Sequence, residues 1–276
     1  MSLASPTEAL HPLAERIGPE TPAIQIVRAL GREDERAVRA VDQSARPIAN
    51  VAERAAQAFL SGGRLIYVGA GTSGRLGALD AAECPPTFGV PPTWVQAVIA
   101  GGPRALTRAV EGAEDRAADG KRAIAALKVG PNDVVCGISA SGRARFVQAA
   151  LVEAKKRKAF TVLITCNTGA PGDVDERITL DTGAELIAGS TRLKAGSATK
   201  LTLNAISTAA MARIGRIERG RMVALKATNA KLAERAQRIV SELAGVDAAT
   251  AKALLKRAKG DVRKAIDAAP KKERIE

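Results

Sequence analysis

The residues best suited to chemistry lie in one run of sequence, residues 64–92. A glycine-rich turn at 69–71 follows a short apolar strand, and two hydroxyl side chains, Thr72 and Ser73, come directly after it. Such a turn into a helix forms an anion site, because unpaired backbone N–H groups and the helix dipole point at one position. The run also carries a carboxylate, Glu83, which a phosphate cradle does not need. The pattern indicates a phosphate-binding loop with an acid/base group nearby, which suggests an enzyme.

A second cluster of hydroxyls, Ser139 and Ser141, follows another apolar strand and is succeeded by Gly142 and a helix. One such cluster is most often a helix N-cap. Two at strand-to-helix junctions of one sheet can point at a single phosphate. A third polar run, which contains Ser190 and Lys194, precedes a long helix and offers a cation to the same anion. The candidate substrate-binding residues are Gly71, Thr72, Ser73, Ser139, Ser141, Gly142, Ser190 and Lys194.

The first turn also matches the G-x-G-x-x-G dinucleotide pattern at 69–74. That pattern is weak by itself, and it needs an acidic residue about 20 positions further on to hold a ribose. The run 84–110 contains no acidic residue. Arg104 could face a 2′-phosphate, so a phosphorylated dinucleotide stays as a minor alternative.

The chain has a single histidine, His11, so neither a Ser-His-Asp triad nor a multi-histidine metal site is expected. Proton transfer near neutral pH would then fall to carboxylates with raised pKa values, or to lysine or tyrosine. The only tyrosine, Tyr67, lies in a predicted buried strand, so carboxylates lead. Glu83 and Glu114 are the candidates, although spacing alone does not separate Glu114 from Glu111 or Asp115.

Composition narrows the class of protein. The 276 residues include 46% hydrophobic ones, enough for a sizeable core, and no run of about 18 apolar residues predicts a membrane span. The N-terminus does not resemble a signal peptide. Three cysteines without C-x-x-C spacing predict neither disulfides nor a cysteine metal site, which favours the cytoplasm.

The net charge of +13 is uneven. Residues 192–276 carry 20 Lys and Arg against 8 Asp and Glu, whereas the first 191 residues are nearly neutral. A basic tail can bind nucleic acid. No aromatic residue follows Phe160 to stack on bases, so we expect a solvated surface and no nucleic-acid partner.

Alternating strand and helix patterns must position these residues. Apolar spacing predicts a helical region at 21–60, ended by glycines at 62 and 63. Strands are expected at 64–68, 94–99, 133–138, 160–165 and 177–180. Helices are expected at 74–82, 103–127 with a break, 142–157, 196–214, 230–243, 248–258 and 261–268. The helix at 74–82 should stop there because two prolines follow at 85 and 86. The alternation predicts an α/β fold with a doubly wound parallel sheet that binds ligands beyond the carboxyl ends of its strands.

The chain closely resembles the N-acetylmuramic acid 6-phosphate etherases of the sugar isomerase (SIS) phosphosugar-binding superfamily. The resemblance rests on residues 65–92, 100–116, 138–143 and 189–208. It implies a flavodoxin-like five-stranded phosphosugar-binding domain at 61–228. An N-terminal helical segment at 1–60 would pack on this domain, and a small basic helical segment would follow at 229–276. It also implies a cytoplasmic homodimer with no membrane association, no metal and no cofactor.

The resemblance further implies cleavage of the D-lactyl ether of N-acetylmuramic acid 6-phosphate to N-acetylglucosamine 6-phosphate and D-lactate. The catalytic glutamates of the family fall on Glu83 and Glu114. Because Glu83 ends the predicted helix that starts at the phosphate-binding loop, we assign it as the acid and Glu114 as the partner base. Three departures from the family pattern are notable: Ala144 replaces a threonine, His11 replaces an asparagine, and the run 217–224 is more basic.

Two alternatives remain on the same fold. A non-catalytic phosphosugar-sensing regulatory protein resembles this chain, but such relatives contain two SIS modules and this chain has the length of one. An aldose–ketose isomerase is the other, and Glu83 with its Ala-Ala-Glu-Cys-Pro-Pro context argues against it.

Overall fold

The structure, a computed structural model, describes residues 5–224 and 230–269. These residues form two compact units. The first contains the described residues up to 82 and residues 92–210, and the second contains residues 83–91 and the described residues from 211 onward. Within the described part of the chain, no helix is both long and apolar enough to cross a bilayer.

A five-stranded parallel sheet forms the centre of the first unit. Its strands are β1 (Leu65–Gly69), β2 (Val95–Ile99), β3 (Val134–Ile138), β4 (Phe160–Thr165) and β5 (Glu176–Thr179). The order is β2-β1-β3-β4-β5, so β1 lies between β2 and β3, and the strand order reverses there. All residues of β3 are buried, as the apolar runs predict for a sheet covered on both faces. The predicted parallel α/β fold is confirmed.

Six helices begin in the first unit as the structure describes it. They are α1 (Ala23–Gln43), α2 (Ala45–Leu60), α3 (Gly71–Phe88), α4 (Ala117–Ala126), α5 (Arg145–Lys156) and α6 (Lys194–Arg213). The last turns of α3 and the end of α6 belong to the second unit.

Three predicted helical regions differ from the structure. The predicted helix at 103–127 is α-helical only at Ala117–Ala126 and is preceded by two 3₁₀ turns, Pro103–Leu106 and Ala113–Asp115, with Gly112 in the left-handed conformation between them. The helical region at 21–60 is two helices that separate at Ser44, whose hydroxyl donates to the backbone oxygen of Thr179 at 2.8 Å. Helix α3 continues through Pro85 and Pro86 to Phe88. Proline disfavours a helix by removing one backbone donor, yet two prolines in the last turn leave the earlier turns intact.

Side chains of β1 divide between the two faces of the sheet. Ile66 and Val68 join an apolar cluster with residues of α4 and α5, including Ile124 and Phe146. Tyr67 points to the opposite face and is 1% exposed.

The opposite face holds a buried carboxylate, Asp80 of α3. Its oxygens accept hydrogen bonds from the Tyr67 hydroxyl at 2.8 Å, the Asn204 amide at 2.7 Å and the Ser207 hydroxyl at 3.1 Å. A buried charge is tolerated only when it is hydrogen-bonded, and here three donors satisfy it. The network fixes α3 and α6 against β1.

The second unit contains a short antiparallel pair and three helices among its described residues. The pair is β6 (Ile217–Glu218) with β7 (Arg221–Met222), and the helices are α7 (Ala230–Ala244), α8 (Ala248–Arg257) and α9 (Val262–Asp267). Asp247 and Asp261 cap α8 and α9 by accepting backbone N–H bonds at 2.8 and 3.0 Å. Apolar residues of the three helices share one core. The three predicted helices are present. The predicted C-terminal segment extends to residue 276, and its residues 229 and 270–276 lie outside the described residues.

Candidate functional site

A cavity of about 260 Å³ lies beyond the carboxyl ends of β1 and β3, where the strand order reverses. It is lined by Thr7, Glu8, Ala70, Gly71, Thr72, Ser73, Glu114, Ile138, Ser139, Ala140, Ser141, Ala144, Gly189 and Thr191. All of these residues belong to the first unit. In doubly wound sheets this position is the usual ligand site, because two adjacent loops diverge there.

The first loop of the cavity connects β1 to α3. Gly71 has a φ of +53° and is the first residue of α3, so the helix N-terminus opens directly on the cavity. Gly69 and Gly74 pack closely: a Cβ on Gly74 would lie 2.8 Å from the Gly69 oxygen and 2.5 Å from Ile99 Cγ1. The tight turn itself therefore requires this glycine spacing, and the G-x-G-x-x-G match needs no bound dinucleotide to explain it.

The second loop follows β3. Gly142 has a φ of +71° and donates its N–H to the Ser139 oxygen at 2.9 Å, which closes the turn. A Cβ on Gly142 would lie 2.2 Å from the Ala170 Cβ. The Ser141 hydroxyl accepts the Arg143 N–H at 3.2 Å, so its own hydrogen is available to a ligand.

These two loops give the cavity neutral donors. Thr72, Ser73, Ser139 and Ser141 supply hydroxyls, and the first turn of α3 supplies backbone N–H groups. Among the described residues that line the cavity, none is lysine or arginine. Ala144 lies in the same wall and provides no hydroxyl. The arrangement can hold an anion such as a phosphate through hydrogen bonds and the helix dipole.

Glu114 belongs to the wall of this cavity and of an adjacent one of about 180 Å³. It lies on a 3₁₀ turn, Ala113–Asp115, that follows Gly112 in the left-handed conformation. Glu111 lines only the adjacent cavity, and Asp115 lines neither. Position thus distinguishes Glu114 from the two acidic neighbours that spacing could not separate from it.

Glu83 lies in the part of α3 that belongs to the second unit. Its side chain is exposed, and the next residue, Cys84, is a buried cysteine that forms no disulfide. Cys136 and Cys166 also form no disulfide and are buried, and burial raises the pKa of Cys166 to about 11. A buried thiol with a raised pKa is a poor nucleophile at neutral pH.

Three of the candidate binding residues do not line the cavity. Gly142 shapes the second loop, and Ser190 is half-buried beside Gly189. Lys194 is 1% exposed, and its ammonium group donates to Glu33. Burial alone would raise the pKa of Glu33, but the hydrogen bond and charge of Lys194 lower it. The cation of Lys194 is therefore engaged in an internal ion pair.

Four residues from outside the two loops and the Glu114 turn also line the cavity, and none of them is among the sequence candidates. Thr7 and Glu8 come from the N-terminal segment, and Gly189 and Thr191 come from the loop before α6. The polar run at 189–196 contains Gly189 and Thr191, but its candidates are Ser190 and Lys194. Nothing in the N-terminal segment marks Thr7 or Glu8, because their proximity to the cavity depends on contacts with distant residues.

Known proteins resemble this chain over most of its length. A family model, the glucokinase regulatory protein N-terminal SIS domain, matches residues 45–155. The N-acetylmuramic acid 6-phosphate etherase of Geobacillus thermodenitrificans (strain NG80-2) is 50% identical over 244 residues, which cover 88% of this chain and 83% of the relative. The etherase of Rhodopirellula baltica (strain DSM 10527 / NCIMB 13988 / SH1) is 45% identical over 262 residues, which cover 94% and 86%. A solved structure of a protein from E. coli CFT073 has the same fold with a TM-score of 0.51 at 17% identity, covering 72% of this chain and 95% of the other.

Proposed function

We propose, because this chain belongs to the family of the N-acetylmuramic acid 6-phosphate etherases, that it is a lyase that cleaves the D-lactyl ether of N-acetylmuramic acid 6-phosphate. The products are N-acetylglucosamine 6-phosphate and D-lactate. The observation that carries this proposal is the identity of 45–50% over more than four fifths of both chains. The cavity with two hydroxyl-bearing loops supports it independently.

The proposed substrate would bind with its 6-phosphate at the two loops. Phosphate oxygens are acceptors, and the hydroxyls of Ser73 and Ser141 with the first N–H groups of α3 are donors that face the same cavity. An unphosphorylated sugar would leave these donors without a partner. We therefore expect the phosphate to contribute most of the binding free energy.

The reaction fits a site that relies on carboxylates. Opening of the sugar ring exposes an aldehyde, which acidifies the hydrogen on carbon 2. A base removes that proton, a double bond forms between carbons 2 and 3, and the ether bond breaks as an acid protonates the departing lactate oxygen. Water then adds across the double bond, with its hydroxyl on carbon 3 and a proton on carbon 2.

We assign Glu114 as the base and Glu83 as the acid. The position of Glu114 in the wall of the cavity supports its role. The choice of Glu83 rests on the resemblance of its sequence context, and its role as the acid rests on its place on α3, the helix that begins at the first loop of the cavity. The ether oxygen is a poor leaving group as an alkoxide and needs the acid, and the hydrogen on carbon 2 needs the base. Removal of either carboxylate should therefore lower the rate about 10²–10⁴-fold.

A deuterium-exchange experiment tests these roles. Wild type, Glu83→Gln and Glu114→Gln are incubated with N-acetylmuramic acid 6-phosphate in deuterated water, and lactate release and carbon 2 exchange are both measured. Glu83→Gln should exchange carbon 2 without releasing lactate, and Glu114→Gln should do neither. Normal lactate release by Glu83→Gln would refute the acid assignment.

The match to a regulatory SIS domain favours one competing function, and the same experiment tests it. A phosphosugar sensor would bind the substrate, but neither wild type nor variant would release lactate. Since the relatives of 45–50% identity are etherases, we expect release by the wild type.

We also propose that the protein is a cytoplasmic homodimer. Exposed apolar side chains on α1 support an interface: Ile24 is 56%, Val27 63% and Val38 59% exposed. Three cysteines that form no disulfide fit a reducing compartment. Light scattering after gel filtration measures the mass, and a species of 28.6 kDa would contradict the dimer.

A further inference from the structure

The N-terminal segment, residues 5–13, contributes part of the cavity wall through Thr7 and Glu8. A short 3₁₀ turn, Pro6–Glu8, presents these two residues. They lie more than 60 positions before the first phosphate-binding loop in sequence, yet they line the same cavity. The carboxylate of Glu8 has no part in the reaction described above, so its position there needs an explanation.

Thr7 holds the segment in place. Its backbone oxygen accepts the N–H of Gly189 at 3.0 Å, and its hydroxyl is bonded to that of Ser5 at 2.9 Å. The Thr7 side chain is buried, and its hydroxyl is already engaged. Thr7 is therefore an anchor, whereas the exposed side chain of Glu8 lines the cavity and is not engaged in any of these anchoring contacts.

A second anchor follows at His11, which is 5% exposed. Its Nδ1 accepts the N–H of Leu13 at 3.1 Å, and its Nε2 lies 3.2 Å from a Glu33 oxygen. The other oxygen of Glu33 accepts from Lys194 at the start of α6. These contacts join the segment to α1 and α6. The backbone around Glu8 is therefore held by Thr7 before it and by His11 after it in the sequence.

We propose that Glu8 is a substrate-contacting residue that accepts a hydrogen bond from a hydroxyl or amide N–H of the sugar. An ionised carboxylate is only an acceptor, so it must face a donor of the ligand. The phosphate of the substrate carries acceptors, and it belongs at the hydroxyl-bearing loops. The remaining donors of an N-acetylated sugar are its hydroxyls and its amide. This inference rests on the proposed phosphosugar substrate.

The negative charge of Glu8 predicts different effects of its removal on the binding of a sugar phosphate and of inorganic phosphate. Glu8 repels an anion in the same cavity, because like charges at short range raise the free energy of the complex. Loss of the carboxylate should therefore weaken a sugar phosphate that uses it, yet leave inorganic phosphate bound equally well or slightly better. A variant that merely disturbs the fold would weaken both ligands.

The test compares Glu8→Ala and Glu8→Gln with Glu15→Ala as the matched control. Glu15 lies in the next 3₁₀ turn, is exposed and does not line the cavity. Calorimetry measures binding of N-acetylglucosamine 6-phosphate and of inorganic phosphate, and steady-state kinetics give KM and kcat with N-acetylmuramic acid 6-phosphate.

For Glu8→Ala we expect sugar-phosphate affinity to fall about 10- to 100-fold, the range of a hydrogen bond to a charged group. KM should rise more than kcat falls, Glu8→Gln should be intermediate because its amide oxygen still accepts, and Glu15→Ala should match the wild type. Unchanged sugar-phosphate affinity in Glu8→Ala, or an equal loss for both ligands, would overturn the proposal.

The experiment separates this proposal from the proposed function. If the wild type binds N-acetylglucosamine 6-phosphate but releases no lactate, the etherase function fails while the binding comparison still decides the role of Glu8. If the wild type binds no sugar phosphate, both are refuted.

Discussion

The buried ion pair between Glu33 and Lys194 gives the sharpest prediction about stability. Lys194 is 1% exposed and Glu33 is 15% exposed. Glu33 accepts the hydrogen bond of the ammonium group, and the buried carboxylate of Glu185 adds a second negative charge nearby. Removing one partner of a buried pair costs about 3–5 kcal/mol, because an unpaired charge stays in the interior. We expect Glu33→Gln to lower the free energy of unfolding by about 3 kcal/mol, the lower end, since Glu33 is partly hydrated.

The reverse change should cost less. In Lys194→Met the charge is removed from the interior, and Glu33 retains the contact with His11 and some water. The buried Glu185 loses a nearby cation but keeps the hydrogen bond from the Ala195 N–H. We expect a loss of about 1–2 kcal/mol, and a double variant less destabilised than the sum of the two single ones by about 2 kcal/mol.

Urea unfolding followed by tryptophan fluorescence measures these values in the first unit. Trp94 is the only tryptophan of the chain and stacks on Phe59 with ring centroids 5.2 Å apart, so its emission reports on that unit. Coincident midpoints for wild type and Glu33→Gln, or strict additivity in the double variant, would refute the reasoning.

The same pair predicts a pH dependence. Burial raises the pKa of Glu33, but Lys194 outweighs burial and lowers it below the ordinary 4.5. Its ionised form therefore stabilises the folded state above pH 4.5, and this contribution is lost as the pH falls through the folded pKa. As the pH falls below about 4.5, the free energy of unfolding should therefore decrease more for the wild type than for Glu33→Gln.

Three further outcomes follow from the cavity and the charge distribution. Joint replacement of Ser73 and Ser141 by alanine should raise KM for the phosphosugar at least tenfold, since each charged hydrogen bond contributes about 1.5–3 kcal/mol; equal binding of an unphosphorylated sugar by the wild type would contradict this. Gly74→Ala should destabilise the protein by about 1–3 kcal/mol in thermal unfolding, because its Cβ would lie 2.5 Å from Ile99 Cγ1 and 2.8 Å from the Gly69 oxygen. Duplex DNA should bind the basic C-terminal segment with micromolar or weaker affinity at physiological salt, and a tight, sequence-selective complex in a fluorescence assay would overturn this expectation.

Local patterns were enough to predict the sheet. Short apolar runs separated by glycine and helical periodicity located five strands within about one or two residues, because a buried parallel strand must be apolar on both faces. The break at Ser44 was missed, since its stabilising bond goes to Thr179, 135 positions away. The end of α3 was also missed, because the fixed φ of proline is compatible with a helix and α3 continues through Pro85 and Pro86 to Phe88.

The two hydroxyl-bearing loops and the family were determined by the sequence itself. Glycine spacing, hydroxyls and strand ends are adjacent in the chain, so their chemistry can be read locally. The same holds for the resemblance at Glu83 and Glu114, which selected a pair that spacing left ambiguous.

Tertiary structure decided which side chains face the cavity. Only the fold brings Glu8 to the loops after β1 and β3, and only the fold pairs Lys194 with Glu33 across 161 positions. In the sequence, Lys194 offered a cation to the ligand and Glu8 offered nothing. The physical reason is burial: a charge placed in the interior needs a partner nearby in space, and the sequence separation of that partner carries no local signal.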